Sequence, residues 1–234
     1  GLAVDFEKEN GVKRFICTFI VFIFCCTAPA FAFNPDELNT ITFQNSTGYD
    51  ISRIFLSPGD SEFWGPEILG PGRMLQTGES IGFYIEYPGV TTSFDIMAMD
   101  EAGYTFILWD CQISDEERGE ISLEFEDLLE EPPDFEFITL NLKNETVPVY
   151  LLFVTPRGSE MWGVDLLNEY TVLDSGSTFS FLVPAGASAL TYKVLTVDED
   201  MDEYVFDLLI DPRTADSTGT VDKSISLDDL QTVY

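Results

Sequence analysis

The chain has 234 residues, of which 42 are acidic, 11 are basic and none is histidine, so its formal net charge is −31 at pH 7. A field of this sign repels nucleic-acid phosphates and anionic lipid headgroups, so we expect no binding to nucleic acid or to anionic membrane surfaces. The lack of histidine excludes a Ser-His-Asp triad and the usual zinc ligand sets, and the sequence contains neither a Walker phosphate loop nor a Rossmann fingerprint.

Residues 1–32 predict an export signal. A basic pair at 13–14 precedes an uninterrupted apolar block over 15–26, and Ala30 and Ala32 are the small residues that a signal peptidase needs before the cut. The block is shorter than the roughly 20 residues that cross a bilayer, so cleavage after Ala32 is favoured over a membrane anchor. We therefore expect a periplasmic or secreted protein.

Two details of this segment leave alternatives open. The acidic residues before Val12 do not suit a signal n-region, so we predict that translation begins at Val12, read through an alternative bacterial start codon. A precursor that retains Gly1 would contradict this start. Acylation of Cys25 or Cys26 would make the protein a lipoprotein, although neither cysteine follows the usual pattern of leucine and small residues.

The remainder of the chain has the pattern of short β-strands. Runs of β-branched and aromatic residues are bounded by turn residues, and no long segment keeps a 3.6-residue apolar period. Alternation is clearest over 81–87 and 121–125, where every second side chain can face a core. The predicted strands are 41–43, 51–56, 80–87, 94–99, 104–109 and 120–125, followed by 149–154, 178–183, 190–197, 204–210 and 224–227.

Two segments, FWGPEIL at 63–69 and MWGVDLL at 161–167, are nearly the same phrase, and their tryptophans lie 98 positions apart. Matches continue at the same spacing on both sides. Toward the end of each unit, residues 121–123 match 225–227, and an Asp-Leu pair follows in both. So many matches in one order predict a tandem duplication of a whole small domain.

We therefore predict an all-β chain of two tandem antiparallel β-sandwich domains, of the immunoglobulin or transthyretin kind, over 33–129 and 138–234. Each domain is expected to be a meander of half a dozen strands. An acidic, proline-stiffened linker at 130–137 separates them. Cys111 is the single cysteine left after signal removal, so no intramolecular disulfide can form, and we expect it to be a buried hydrophobe.

The repeated phrase predicts a short turn of helix that caps the open end of each sandwich. Trp64 and Trp162 would be buried there as large plugs of the core. Gly65 and Gly163 would let the backbone pass close beside each indole.

Exposed aromatic platforms for a sugar or a peptide are the alternative role of these tryptophans. Core packing is favoured, because leucine or isoleucine follows Trp64 and Trp162 at matched spacing. Trp109 has no tryptophan counterpart in the second unit, where Leu209 is its predicted equivalent. Trp109 is accordingly the better candidate for an exposed contact.

Each unit shows Asn-x-Thr, an apolar strand ending in Ser/Thr-Pro, Trp-Gly with a leucine-rich turn, Leu-x-x-Gly, and Asp-Glu before an aromatic strand. This order resembles a tandem module of uncharacterised secreted bacterial proteins, over essentially all of the mature chain. The resemblance implies no activity and no catalytic residue. The second unit departs from it at Met201 and Asp202, where the first has Ala102 and Gly103, so the two hairpin loops are expected to differ.

The sharpest candidate for a site is a calcium ion held by Asp198, Asp200 and Asp202, which alternate in a loop between two strands as in the opening of an EF-hand loop. The motif fails where glycine is expected, at Glu203, and where the closing glutamate is expected, at Leu209. The competing interpretation is a solvated acidic turn that keeps hairpin edges apart. A calorimetric titration with no heat at millimolar calcium would exclude the ion.

Asn45 and Asn144 begin sequences that match the N-glycosylation acceptor pattern. Duplication explains their matched positions. Because the predicted start codon indicates a bacterial source, we expect both to be ordinary strand-end residues.

These features favour an exported, non-catalytic binding or envelope-associated protein. We expect a monomer without a cofactor, whose partner is a protein or a component of the envelope. A carboxylate pair could in principle hydrolyse a glycoside, but among so many acids no pair stands out. A calcium-binding structural β-sandwich protein is the alternative function.

Overall fold

The structure is a computed structural model that describes residues 38–86, 92–113, 119–132, 136–168, 171–186 and 188–229. The predicted signal segment 1–32 and part of the predicted linker lie outside the described residues. Within those residues no helix is long and apolar enough to span a membrane. We call 38–132 the first half and 136–229 the second half.

Strands dominate both halves, and the predicted all-β class is confirmed. Three short 3-10 turns, Phe125–Asp127, Pro212–Thr214 and Leu227–Asp229, complete the regular structure of the described residues. The first-half strands are β1 (Asn39–Ser46), β2 (Ile51–Pro58), β3 (Ser80–Glu86), β4 (Thr92–Asp100), β5 (Thr105–Ile113) and β6 (Glu120–Glu124). The second-half strands are β7 (Glu136–Asn144), β8 (Val149–Pro156), β9 (Gly163–Val164), β10 (Thr178–Ala185), β11 (Leu190–Asp198), β12 (Glu203–Ile210) and β13 (Thr220–Ile225).

Each half contributes two sheets, as in a β-sandwich. The orders are β6-β1-β3-β9 and β2-β4-β5 in the first half, where β9 is added by the second half, and β10-β7-β13 and β12-β11-β8 in the second. The predicted meander is wrong, because β1 pairs in parallel with β6, and β7 in parallel with β13. A parallel pair needs a crossover connection, and here the chain passes through the other sheet between the two paired strands.

The sequence match at the end of the two halves is also wrong by two residues. Leu123 lies opposite Asn45 in the β1–β6 pair, and Ile225 lies opposite Asn144 in the β7–β13 pair. Leu123 therefore corresponds to Ile225, whereas the sequence match had placed it at Leu227. Apolar periodicity alone could not fix this register, because a strand with two-residue alternation matches equally well after a shift of two.

The segment around each Trp-Gly pair is extended, so the predicted turn of helix is wrong. The amide of Ile68 donates to the carbonyl of Ile54 at 2.8 Å, and that of Leu166 donates to the carbonyl of Leu152 at 2.8 Å. Each segment thus runs along the edge of the second strand of its half. Backbone groups that a helical turn would have satisfied internally are paired across this edge instead.

The two glycines of these segments are needed for different reasons. A Cβ on Gly65 would collide with the carbonyl oxygen of Leu56, whereas Gly163 has open space around it but a φ of +84°. A backbone carbonyl cannot move aside as a flexible side chain can. Gly65 therefore permits a close approach of two backbone segments, and Gly163 permits a left-handed conformation.

Gly65→Ala is expected to lower the free energy of unfolding by about 3 kcal/mol, because the collision must displace the strand edge. Gly163→Ala should cost only about 1 kcal/mol, the strain of a left-handed alanine. Urea denaturation followed by circular dichroism measures both. An equal cost at the two positions would contradict the close approach at Gly65.

The two halves share one hydrophobic cluster, which includes Phe43 and Ile54 from the first half and Leu140 and Val194 from the second. Residues 33–234 accordingly form one compact unit. The predicted boundaries at 129 and 138 stay predictions.

Backbone hydrogen bonds cross between the halves in a reciprocal pair. The amide of Glu67 donates to the carbonyl of Leu182 at 2.8 Å, and the amide of Asp165 donates to the carbonyl of Tyr84 at 2.9 Å. Both donors and both acceptors are 98 positions apart. The second of these contacts extends into a strand pair between β3 and β9. The first does not, because Pro184 lies where β3 has Glu86 and has no N–H to donate.

Side-chain contacts between the halves follow the same reciprocal pattern. Phe137, at the start of the second half, packs on a buried cluster of the first half made of Phe55, Met97 and Met99. Leu38, at the start of the first half, packs on the matching cluster of the second half, made of Phe153, Leu195 and Val197. Each half therefore covers part of the other, as the subunits of an isologous dimer do.

Candidate binding face of the first half

The outward side of the β2-β4-β5 sheet carries the candidate site. Because side chains alternate along a strand, Ile54 and Ile96 face the shared core, while Phe55 and Met97 face outward and are still fully buried. Their cover consists of Phe137 from the second half together with Trp64 and Ile107.

Trp64 and Trp109 form an aromatic pair at the edge of this cover. Their ring centroids lie 5.6 Å apart with an interplanar angle of 39°. Trp109 is 63% exposed and the neighbouring Phe63 is 47% exposed, whereas Trp64 is half-buried. The expectation that Trp109 is exposed is confirmed. The expectation that Trp64 is a core plug is wrong, because its segment passes over the outside of the sheet rather than into its open end. We call Trp64 and Trp109 the aromatic face.

A β-bulge positions Trp109. Ile96 pairs with Leu108 but Phe94 pairs with Cys111, so the two residues 109–110 lie opposite Asp95 alone. Asp110 has a φ of +54°, and its amide donates to Oδ1 of Asp95 at 2.8 Å. The bulge adds one residue to β5, and bulges of this kind redirect side chains at sheet edges.

The second half has no equivalent bulge, and this shows that the predicted counterpart of Trp109 is wrong. Lys193 pairs in register with Asp207, and Asp207 lies 98 positions after Trp109. Leu209, the counterpart expected from the sequence, follows two residues later. A sequence match cannot locate the inserted residue, because a one-residue gap fits equally well at several neighbouring positions.

In the second half a lysine takes the place next to the indole. The Nζ of Lys193 lies 4.5 Å from the ring centroid of Trp162 and donates to the carbonyl of Ser159 at 2.6 Å. Partial burial lowers the pKa of Lys193, and the carboxylates of Asp60, Glu86, Asp207 and Glu160 oppose that shift. Trp162 is half-buried, so its prediction as a core plug is wrong for the same reason as at Trp64.

The predicted calcium ligands lie around one hairpin turn between β11 and β12. Asp198 is buried: its Oδ1 accepts from the amides of Asp200 and Asp202 at 3.0 and 2.9 Å, and its Oδ2 accepts from the Tyr204 hydroxyl at 3.3 Å. Asp200 and Asp202 are exposed. Among the residues that the structure describes, no three His, Cys, Asp or Glu side chains are grouped as metal ligands would be. The calcium site stays a prediction.

Two buried carboxylates were not singled out from the sequence. Glu67 and Asp165 lie 98 positions apart, are 5% and 0% exposed, and accept backbone N–H groups of their own half. Burial raises the pKa of both, and the value for Asp165 rises to about 6. The signal that could have identified them is the acidic residue at the fifth position of both FWGPEIL and MWGVDLL.

The Asn-x-Thr pairs are strand-end turns, as expected. Asn45 is fully buried, and its Nδ2 donates to the carbonyls of Tyr49 and Leu75 at 2.7 and 2.8 Å. Its Oδ1 accepts from the Thr47 hydroxyl at 2.7 Å. Asn144 has the same arrangement in the second half. Each amide nitrogen uses both of its protons inside the fold, so neither asparagine can carry a glycan in the folded protein.

Cys111 is half-buried against the shared core, close to the expected packing role. Burial raises the pKa of its thiol to about 11, and the carboxylates of Asp95, Asp127 and Asp110 add to the effect. A protonated thiol is a poor nucleophile.

No protein-family model and no curated protein matches the chain.

Proposed function

We propose that this is an exported, non-catalytic binding protein that contacts its partner, a protein or a component of the cell envelope, through the aromatic face. The observation that carries the proposal is Trp109, a 63% exposed indole that packs against Trp64 at a tilt. Tryptophan is among the residues that contribute most to binding when an interface covers them. The packed indole beneath it keeps the contact surface preorganised, which reduces the entropy lost on binding.

Tandem duplication and export are parts of the same proposal. The reciprocal exchange of Glu67 and Asp165 contacts supports a duplication, because both hydrogen bonds recur at the 98-residue spacing. Export rests on the apolar block and small residues of the segment 1–32, which the structure does not describe. A periplasmic or secreted location follows from it. For calcium binding, Asp198 offers no support, since its oxygens already accept hydrogen bonds within its own turn.

Trp109→Ala is expected to weaken partner binding at least tenfold, since removal of a central indole from an interface costs about 2 kcal/mol or more. The partner would first be captured from cell-envelope extract by the wild-type protein, purified, and titrated against each variant by calorimetry. Leu209→Ala is the matched control, because Leu209 is a 54% exposed apolar residue outside the aromatic face. A partner that binds Trp109→Ala and the wild type equally would refute the proposal.

A further inference from the structure

The two halves differ in charge at one matched position on the outward side of their sheets, and this difference indicates what the aromatic face binds. In the second half, Lys193 lies over the ring of Trp162. The residue 98 positions earlier is Asp95, on the same outward side of β4 as Lys193 is of β11. The position that holds a cation over the indole in the second half thus holds a carboxylate in the first half.

We propose that the aromatic face of the first half binds the cationic side chains, arginine or lysine, of a basic protein segment. The inference rests on the proposed function and names the partner's chemistry. A cation is attracted to the face of an indole by the ring quadrupole, and Trp109 presents such a ring to solvent. In the second half a cation–π contact of this kind forms within the chain, with 4.5 Å between Nζ of Lys193 and the ring centroid of Trp162.

The carboxylates next to Trp109 provide the opposite charge for such a ligand. Asp95 lies across the bulge, and the exposed Asp110 follows Trp109 directly. The backbone amide of Asp110 donates to Oδ1 of Asp95 at 2.8 Å. In the second half the corresponding acid, Asp207, already forms an ion pair with Arg157 at 3.1 Å. The residue 98 positions before Arg157 is Gly59, so no arginine stands at the matching position of the first half.

Charge complementarity favours a basic segment over an uncharged one. The whole chain has a formal charge of −31, which accelerates encounter with a cationic partner. Long-range attraction of this kind is shared by the whole surface. The aromatic face adds a local contact whose strength depends on the indole of Trp109 and on the sign of the charge at position 95. Substitutions at these two positions therefore distinguish the local contact from the long-range attraction of the whole surface.

The test uses the mature protein and a hexa-arginine peptide, titrated by calorimetry at about 0.15 M salt, where distant surface charges are screened. A hexa-citrulline peptide, of nearly the same shape without charge, should bind at least tenfold more weakly. Trp109→Leu keeps the net charge and an apolar side chain and should weaken hexa-arginine binding by roughly 3- to 30-fold. Trp109→Phe keeps an aromatic ring and should lose less than Trp109→Leu.

Asp95→Lys places a cation at the position that Lys193 has in the second half and should weaken hexa-arginine binding at least tenfold, because a cation then replaces the carboxylate opposite Trp109. Glu199→Lys is the charge-matched control, on the exposed turn after β11, and should change binding less than threefold. Equal losses in the two variants, or no loss in Trp109→Leu, would overturn the cation assignment. If capture of the envelope partner still depends on Trp109 in that case, the proposed function stands and its partner is not cationic.

Discussion

Separately produced halves, residues 33–132 and 133–234, are expected to lose the cooperative unfolding transition of the intact chain. The physical reason is the reciprocal exchange: without the second half, β3 loses its pairing with β9, and the cluster of Phe55 and Met97 loses the cover of Phe137. An unpaired strand and an exposed apolar cluster favour association or unfolding. Size-exclusion chromatography with light scattering and thermal unfolding by circular dichroism measure the outcome.

Mixing the halves in equal amounts should restore the near-ultraviolet circular dichroism of the intact protein, because every exchanged contact can form between separate chains. One half alone can also form a dimer that exchanges the same contacts with a second copy, since the interface is reciprocal. A monomeric half that melts cooperatively within a few degrees of the intact chain would show that each half has an independent core. That result would support the domain boundaries expected from the sequence.

The strands were predictable because their pattern is local. Alternation over 121–125 and the β-branched runs fix where a strand lies within a few residues, and the paired sheets follow from the number of strands. The exchange between halves was not predictable, because the repeat spacing is the same whether Glu67 bonds to its own half or to Leu182. A repeat in the sequence identifies the repeating unit, but it does not show whether a residue contacts its own copy or the other copy.

Part of the candidate site could also be predicted from the sequence, and part of it could not. Trp109 was identifiable as an exposed contact, because a tryptophan without a counterpart in the repeat has no shared packing role. The counterpart itself was misplaced, since the bulge at 109–110 adds a residue that only the strand register reveals. The opposite charges at Asp95 and Lys193 become meaningful only once the strand register places Asp95 opposite Trp109 and Lys193 is seen to lie over the Trp162 ring.

Asp165→Asn is expected to stabilise the protein at pH 7.5 by about 2 kcal/mol and to leave it unchanged at pH 3.5. Burial raises the pKa of Asp165 from 3.8 to about 6, so the folded state holds a proton that the unfolded state releases over this interval. Stability is therefore lost as pH rises from about 4 to about 6, by up to roughly 3 kcal/mol for a difference of this size. Asparagine abolishes the loss. Urea denaturation of both proteins from pH 3.5 to 7.5 gives the difference.

Asp165→Asn is tolerated because only one carboxylate oxygen accepts well-aligned hydrogen bonds. Oδ1 accepts from the amides of Leu152 and Leu167 at 2.9 and 3.1 Å. Oδ2 is buried and has no aligned hydrogen bond, although the backbone N–H of Asn168 is close enough to lower the pKa of the carboxyl. The asparagine oxygen can keep both bonds with its nitrogen at the Oδ2 position. Asp165→Ala leaves the two buried amides unpaired and should destabilise by about 3 kcal/mol.

Glu67→Gln is the matched control, since Glu67 occupies the same place in the first half but uses both oxygens. Oε1 accepts from the amide of Leu69 at 2.6 Å and Oε2 from that of Gly70 at 2.9 Å. A glutamine must turn its NH₂ toward one of these donors, so it loses a hydrogen bond while it removes the buried charge, and its gain at pH 7.5 should be smaller than that of Asp165→Asn. If Asp165→Asn shows the same pH dependence as the wild type, the pKa of Asp165 is not raised in the folded protein. The unpaired Oδ2 would then lie in a more polar environment than its burial indicates.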